Sequence, residues 1–140
     1  MPAQAEVVDV IARLALFADL STAQLEGVAH VFEEAFFADG TRVLRQGLTG
    51  SGLYVILDGE AAIQVDGVER STLGRGEFFG EISCLLDEPP VADIVAHGPL
   101  RCLVLPRPQV QPFLTAYPIV MFRMLQAEAR KLRNTTKWLE

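Results

Sequence analysis

Apolar residues recur at steps of three and four early in the chain: Val7, Val10, Ile11 and Leu14, then Leu25, Val28, Ala29, Val31 and Phe32. That spacing predicts two amphipathic helices. Ser21-Thr22-Ala23-Gln24 has the form of a capping box, a cap hydroxyl with an amide three residues later, so the second helix is predicted to start there. Phe17 and Leu20 then lie at the corner between them. From Ala35 onward the period shortens. Short alternating or β-rich runs are separated by Asp39-Gly40, Asp58-Gly59 and Asp66-Gly67, dipeptides that favour tight turns because both residues tolerate positive φ. Strands are predicted at 42–44, 53–57, 61–65, 69–73, 92–96 and 102–105. Many short antiparallel strands with no long helix between them predict a mixed α and β fold, an antiparallel, jelly-roll-like β-roll flanked by N-terminal helices and a long C-terminal helix.

Helical spacing returns after Pro106, Pro108, Pro112 and Pro118. Phe122, Leu125, Ala129, Leu132, Thr136 and Leu139 alternate steps of three and four, which is the narrow seam of a short coiled coil. Two arrangements satisfy it: the helix packs on its own roll as a lid, or Phe122, Leu125, Ala129, Leu132 and Leu139 pair with a second copy in a homodimer. Arg130, Lys131, Arg133 and Lys137 read as a solvated face near a helix C-terminus, where positive charge is favourable.

With 140 residues, half of them hydrophobic, the chain has enough for one well-buried core and too little for two, so a single domain over 1–140 is expected. Its helices fall at about 6–34, its roll at about 35–106 and its terminal helices at about 108–139. A net charge of −6 opposes a nucleic-acid backbone as partner. The longest apolar run, 7–17, is broken by Asp9 and Arg13, so neither a membrane span nor a secretory signal is expected, and the location expected is cytoplasmic. Cys84 and Cys102 form no metal-ligand spacing and are too few for a disulfide framework, so both read as small buried apolar residues. His30 and His97 stand apart. A Cys84–His97 nucleophile pair lacks an orienting third group. No catalytic residue, metal or cofactor is expected.

Four stretches carry a family resemblance: LFADLS at 16–21, GTRVLRQG at 40–47, LYVILDGE at 53–60 and LGRGEFFGE at 73–81. With the order helix pair, roll, short helix inside the roll, and long terminal helix, the chain resembles the cyclic-nucleotide-binding domain of catabolite activators, kinase regulatory subunits and gated channels. The resemblance runs from about 11 to 139 and leaves no room for an effector or a helix-turn-helix. It implies a phosphate-binding cassette in which backbone N–H groups and an arginine hold the cyclic phosphate and a glutamate accepts from the ribose 2′-hydroxyl. Gly80, Glu81, Ile82 and Ser83 match its first half, with Glu81 in the ribose role.

The second half departs. Pro90 falls on the arginine, Val91 on the small or hydroxylated residue and Asp93 on the threonine; neither this register nor a one-residue slide yields a cation. Losing one partner of a buried charge pair costs roughly 2–5 kcal/mol, which is about thirty- to several-thousand-fold in affinity. Cyclic AMP and cyclic GMP are therefore disfavoured, the more so if Asp87, Glu88 and Asp93 add like charge. Arg75, Arg101, Arg123 or Arg130 from another element, or His97 for a ligand other than a phosphate, are the alternatives. The function expected is a stand-alone regulatory or assembly module, with an unidentified protein partner; the alternative is a sensor with altered ligand choice.

Overall fold

The computed structural model describes residues 2–48 and 52–139, with the side chains of 6–48 and 52–136; those of Lys137 and Leu139 lie outside them. Helix α1 (Pro2–Ile11), a 3₁₀ turn (Ala15–Phe17) and α2 (Thr22–Val31) form the N-terminal corner. The capping box closes α2 as its sequence demands: Ser21 Oγ accepts from Gln24 N, and Gln24 Oε1 accepts from Ser21 N. The roll follows as β1 (Glu33–Phe37), β2 (Arg42–Leu44), β3 (Gly52–Val65), β4 (Val68–Leu73), β5 (Phe78–Phe79) and β6 (Asp93–Pro106), with α3 (Glu81–Leu86) between β5 and β6. Helices α4 (Arg107–Ala116) and α5 (Pro118–Leu139) complete the chain. The fold is mixed α and β around an antiparallel sheet of six strands, ordered β1-β6-β3-β4, with β2 on β6 and β5 on β3.

Two of the expected strand pairs are single strands. The predicted turn at Asp58-Gly59 is a bulge inside β3, where the register with β6 shifts on both sides of Asp58. Gly59 holds φ 93°, and a Cβ there would sit 2.3 Å from the Pro99 carbonyl oxygen, so glycine serves a close strand approach rather than a reversal. At Asp66-Gly67 the expected turn forms, with φ 53° and 78°. Similarly, 92–96 and 102–105 join in β6. Strands β1 and β5, which pair with β6 and β3, lie outside the expected strands, because Glu33-Glu34 and a two-residue strand carry little β signal.

Alternation along β3 divides the core in two. Leu53, Val55 and Leu57 face the helices and pack with Ile11, Phe17, Val28, Phe32, Phe113, Val120 and Met124. Tyr54 and Ile56 face the interior of the roll with Leu44, Leu73, Phe79, Ile94 and Cys102. The second cluster floors the site described next. None of the described helices is long and apolar enough to cross a membrane.

Candidate functional site: the cassette cavity

Strand β5 delivers the chain to α3 through Gly80. Its φ is 86°, and a Cβ would lie 2.2 Å from the Gly52 carbonyl oxygen, so only glycine brings the cassette this close to β3. Phe79 stacks on Tyr54 with 4.8 Å between ring centroids. The far limb of the loop is pinned where the Pro90 carbonyl accepts from Gly47 N at 2.9 Å. Between the limbs lies a cavity of about 430 Å³, within the range of small-ligand sites.

Gly80, Glu81, Ile82, Ser83, Pro90 and Val91 all line this cavity, so the cassette positions singled out from sequence come together around one space. Asp93 does not. Its carboxylate turns to the β2 side, accepting from Gln46 N at 2.7 Å and lying 3.7 Å from Arg42 Nε. The like charge expected from Asp87, Glu88 and Asp93 is therefore absent from the cavity wall, because each is tied elsewhere or faces outward. Ser83 is buried, but its hydroxyl is spent on the loop: it donates to the Glu88 carbonyl and accepts from Arg107 Nη2 at 2.7 Å. Arg107, at the start of α4, also donates to the carbonyls of Ser83 at 2.5 Å and Glu88 at 2.8 Å. It braces the cassette from behind and does not line the cavity.

The cation that does reach the cavity is Lys131 of α5. Its Nζ lies 3.6 Å from Glu81 Oε2 and 3.3 Å from Glu128 Oε1, and 4.9 Å from the Phe78 ring centroid. Lys131, read from sequence as part of a solvated face, is half exposed and also turns its ammonium to the cassette. Burial and a hydrogen bond that protonated Glu81 donates to the Glu128 carboxylate push Glu81 up to about 7, and Lys131 opposes them in part. The Lys131 ammonium thus lies between two carboxyls, of which buried Glu81 is the one whose protonated form its surroundings favour.

The other proposed cations lie elsewhere. Arg101 pairs with Glu34, Arg123 with Asp19, and Arg75 and Arg130 line other cavities. His97 faces Glu69 at 3.4 Å, whereas Cys84 packs beside Arg107 and Glu81 with its thiol raised chiefly by burial. Cys102 is buried, and burial raises its thiol to about 12. Lys131 had a signal in the sequence: Val120, Met124, Ala127 and Lys131 step by four, three and four, and the first three pack on the core. Arg107 had none beyond its place between two prolines.

The chain matches the cyclic nucleotide-binding domain family over residues 34–117 and belongs to it. Among curated proteins it is 35% identical over 99 residues, 68% of its length, to the cAMP-dependent protein kinase regulatory subunit of Mucor circinelloides f. lusitanicus, of which it spans 23%. Among solved structures it superposes on the catabolite activator protein of Thermus thermophilus with a TM-score of 0.80 at 28% identity, covering 89% of this chain and 61% of that one. It superposes also on the regulatory subunit of a cAMP-independent protein kinase A from Trypanosoma cruzi bound to guanosine, with a TM-score of 0.65 at 27% identity over 75% of this chain and 38% of the other.

Proposed function

We propose that this chain acts as a regulatory or assembly module whose cassette does not take cyclic AMP or cyclic GMP in the family's usual mode. The observation carrying this reading is electrostatic: Pro90 stands at the cassette position where the family resemblance implies an arginine, and Lys131, the one cation among the described residues that line the cavity, is already committed to Glu81 and Glu128. A cyclic phosphate entering there would have to draw Lys131 off Glu81 and Glu128. Residence in the cytoplasm belongs to the same reading, in keeping with two free cysteines, and so does the absence of any catalytic step. Titration calorimetry of the chain with cyclic AMP and cyclic GMP is expected to give no saturable heat at micromolar concentrations. A low-micromolar dissociation constant that is lost in Glu81→Ala overturns it.

A sensor with altered ligand choice is the second reading, favoured by the survival of the cavity itself. Its wall is apolar on the sheet side, at Leu44, Ile63, Leu73 and Ile94, and polar at one end, at Glu81 and Glu128. That distribution suits an uncharged ring bearing hydroxyl groups better than a phosphate, and the guanosine-bound relative supports it. Guanosine in the same calorimetric series decides between the two readings: saturable heat favours the sensor, silence the assembly module.

A further inference from the structure

Charge on this molecule is unevenly placed. Of its 12 Lys and Arg, five (Arg13, Arg75, Arg123, Arg130 and Lys131) line two adjoining cavities of about 570 and 530 Å³ on the outer side of the β4–β5 turn, against two of its 18 acids, Asp19 and Glu77. The cavities share Ala15, Gly76 and Glu77 as walls, so they form one trough between the N-terminal corner and α5. Two of the cations are spoken for: Arg123 by Asp19 and Gln126, and Lys131 by Glu81 and Glu128. Glu77 is occupied too, its carboxylate accepting from Gly74 N at 2.6 Å. Arg13, Arg75 and Arg130 are exposed, and their side chains have neither hydrogen-bond nor ion-pair partners among the described residues. They come from three separate elements, the bend after α1, the β4–β5 turn and α5.

We propose that this trough, which adjoins the cassette cavity across the shared walls Glu77, Phe78 and Lys131, is an anion site for a small molecule carrying a chain of adjacent phosphate groups. Guanidinium forks bind phosphate oxygens in pairs, and three of them distributed along two joined cavities match a string of charges better than a single one. On a protein of net charge −6, a local excess of unpaired arginine also focuses the field that draws a polyanion in. The floor of the trough holds the buried side chains of Leu16 and Phe78, an apolar surface on which a ring attached to the phosphates could rest.

The probes are inorganic tripolyphosphate and ATP, titrated into the full chain by calorimetry. One saturable site per chain is expected, weakened about tenfold or more by Arg75→Glu and by Arg130→Glu. Arg45→Glu is expected to leave the affinity unchanged, because Arg45 is equally exposed but lines neither cavity. Far-ultraviolet circular dichroism verifies that each variant is folded. ATP binding more tightly than tripolyphosphate supports a site that also reads the ring; equal affinities support one that reads phosphate alone. The proposal is overturned if neither probe gives saturable heat, or if binding survives both charge reversals in folded protein. It is overturned equally if a glutamate-rich peptide binds while both phosphate probes are silent.

Discussion

A single buried carboxyl governs the chemistry of the cassette. Glu81 is raised from 4.5 to about 7 by burial and by Glu128, so it binds its proton more tightly folded than unfolded. Its contribution to stability is complete below the unfolded value and is lost as pH rises through about 7, a swing on the order of 3 kcal/mol. Urea midpoints are expected to fall between pH 5 and 8 in the wild type, and to fall much less in Glu81→Gln, which keeps a neutral side chain throughout. A second prediction at this scale follows from Asp93 facing β2. Because it does not line the cavity, Pro90→Arg alone is expected to bring measurable cyclic AMP binding by calorimetry. Adding Asp93→Thr is expected to gain no affinity and to cost about 1 kcal/mol, since the Gln46 N–H loses its acceptor. Should only the double variant bind, Asp93 reaches the phosphate after all.

At the scale of the element, α5 carries two stripes with nearly the same arithmetic. Val120, Met124, Ala127 and Lys131 face the protein, while Phe122, Leu125, Ala129 and Leu132 face outward, with Phe122, Leu125 and Leu132 at 52%, 62% and 68% exposure. The same helix is thus a lid on one side and an open apolar face on the other. Met124 is 2% exposed in the helix-side core, so Met124→Ala is expected to lower stability by about 2–5 kcal/mol. Leu125→Ala, one residue on, is expected to change the stability of the monomer by about 0.5 kcal/mol or less. Chemical denaturation of the two variants at low protein concentration separates the stripes; equal losses would mean that the outer face is covered within the monomer.

For the molecule as a whole, the outer stripe is what supports self-association, because Met121, Phe122, Leu125 and Leu132 expose large apolar side chains along one helix. Lys131 and Glu128 still touch the cassette near the level of Leu132, so a pair of chains joined along α5 would hold both lids in place together. Light scattering is expected to report a dimer for the wild type and a folded monomer for Leu132→Glu. An unchanged dimer mass moves the interface away from α5, and a monomeric wild type removes it.

Local chemistry sufficed wherever a residue's role depends on its neighbours in sequence. The capping box at Ser21 and the Asp66-Gly67 turn were legible, because each is decided within a few residues. Contacts between distant segments were not. A step pattern of three and four says that a helix has an apolar stripe, but Phe122-Leu125-Ala129-Leu132 and Val120-Met124-Ala127-Lys131 both fit it, and only packing against the roll selects the inner one. Asp58-Gly59 reads as a turn until Pro99 is found across the sheet, and Asp93 reads as a repelling charge until Gln46 and Arg42 take it. Tertiary structure alone joined Lys131 to Glu81, 50 residues apart, because only burial makes an isolated carboxyl costly enough to require a partner from another element.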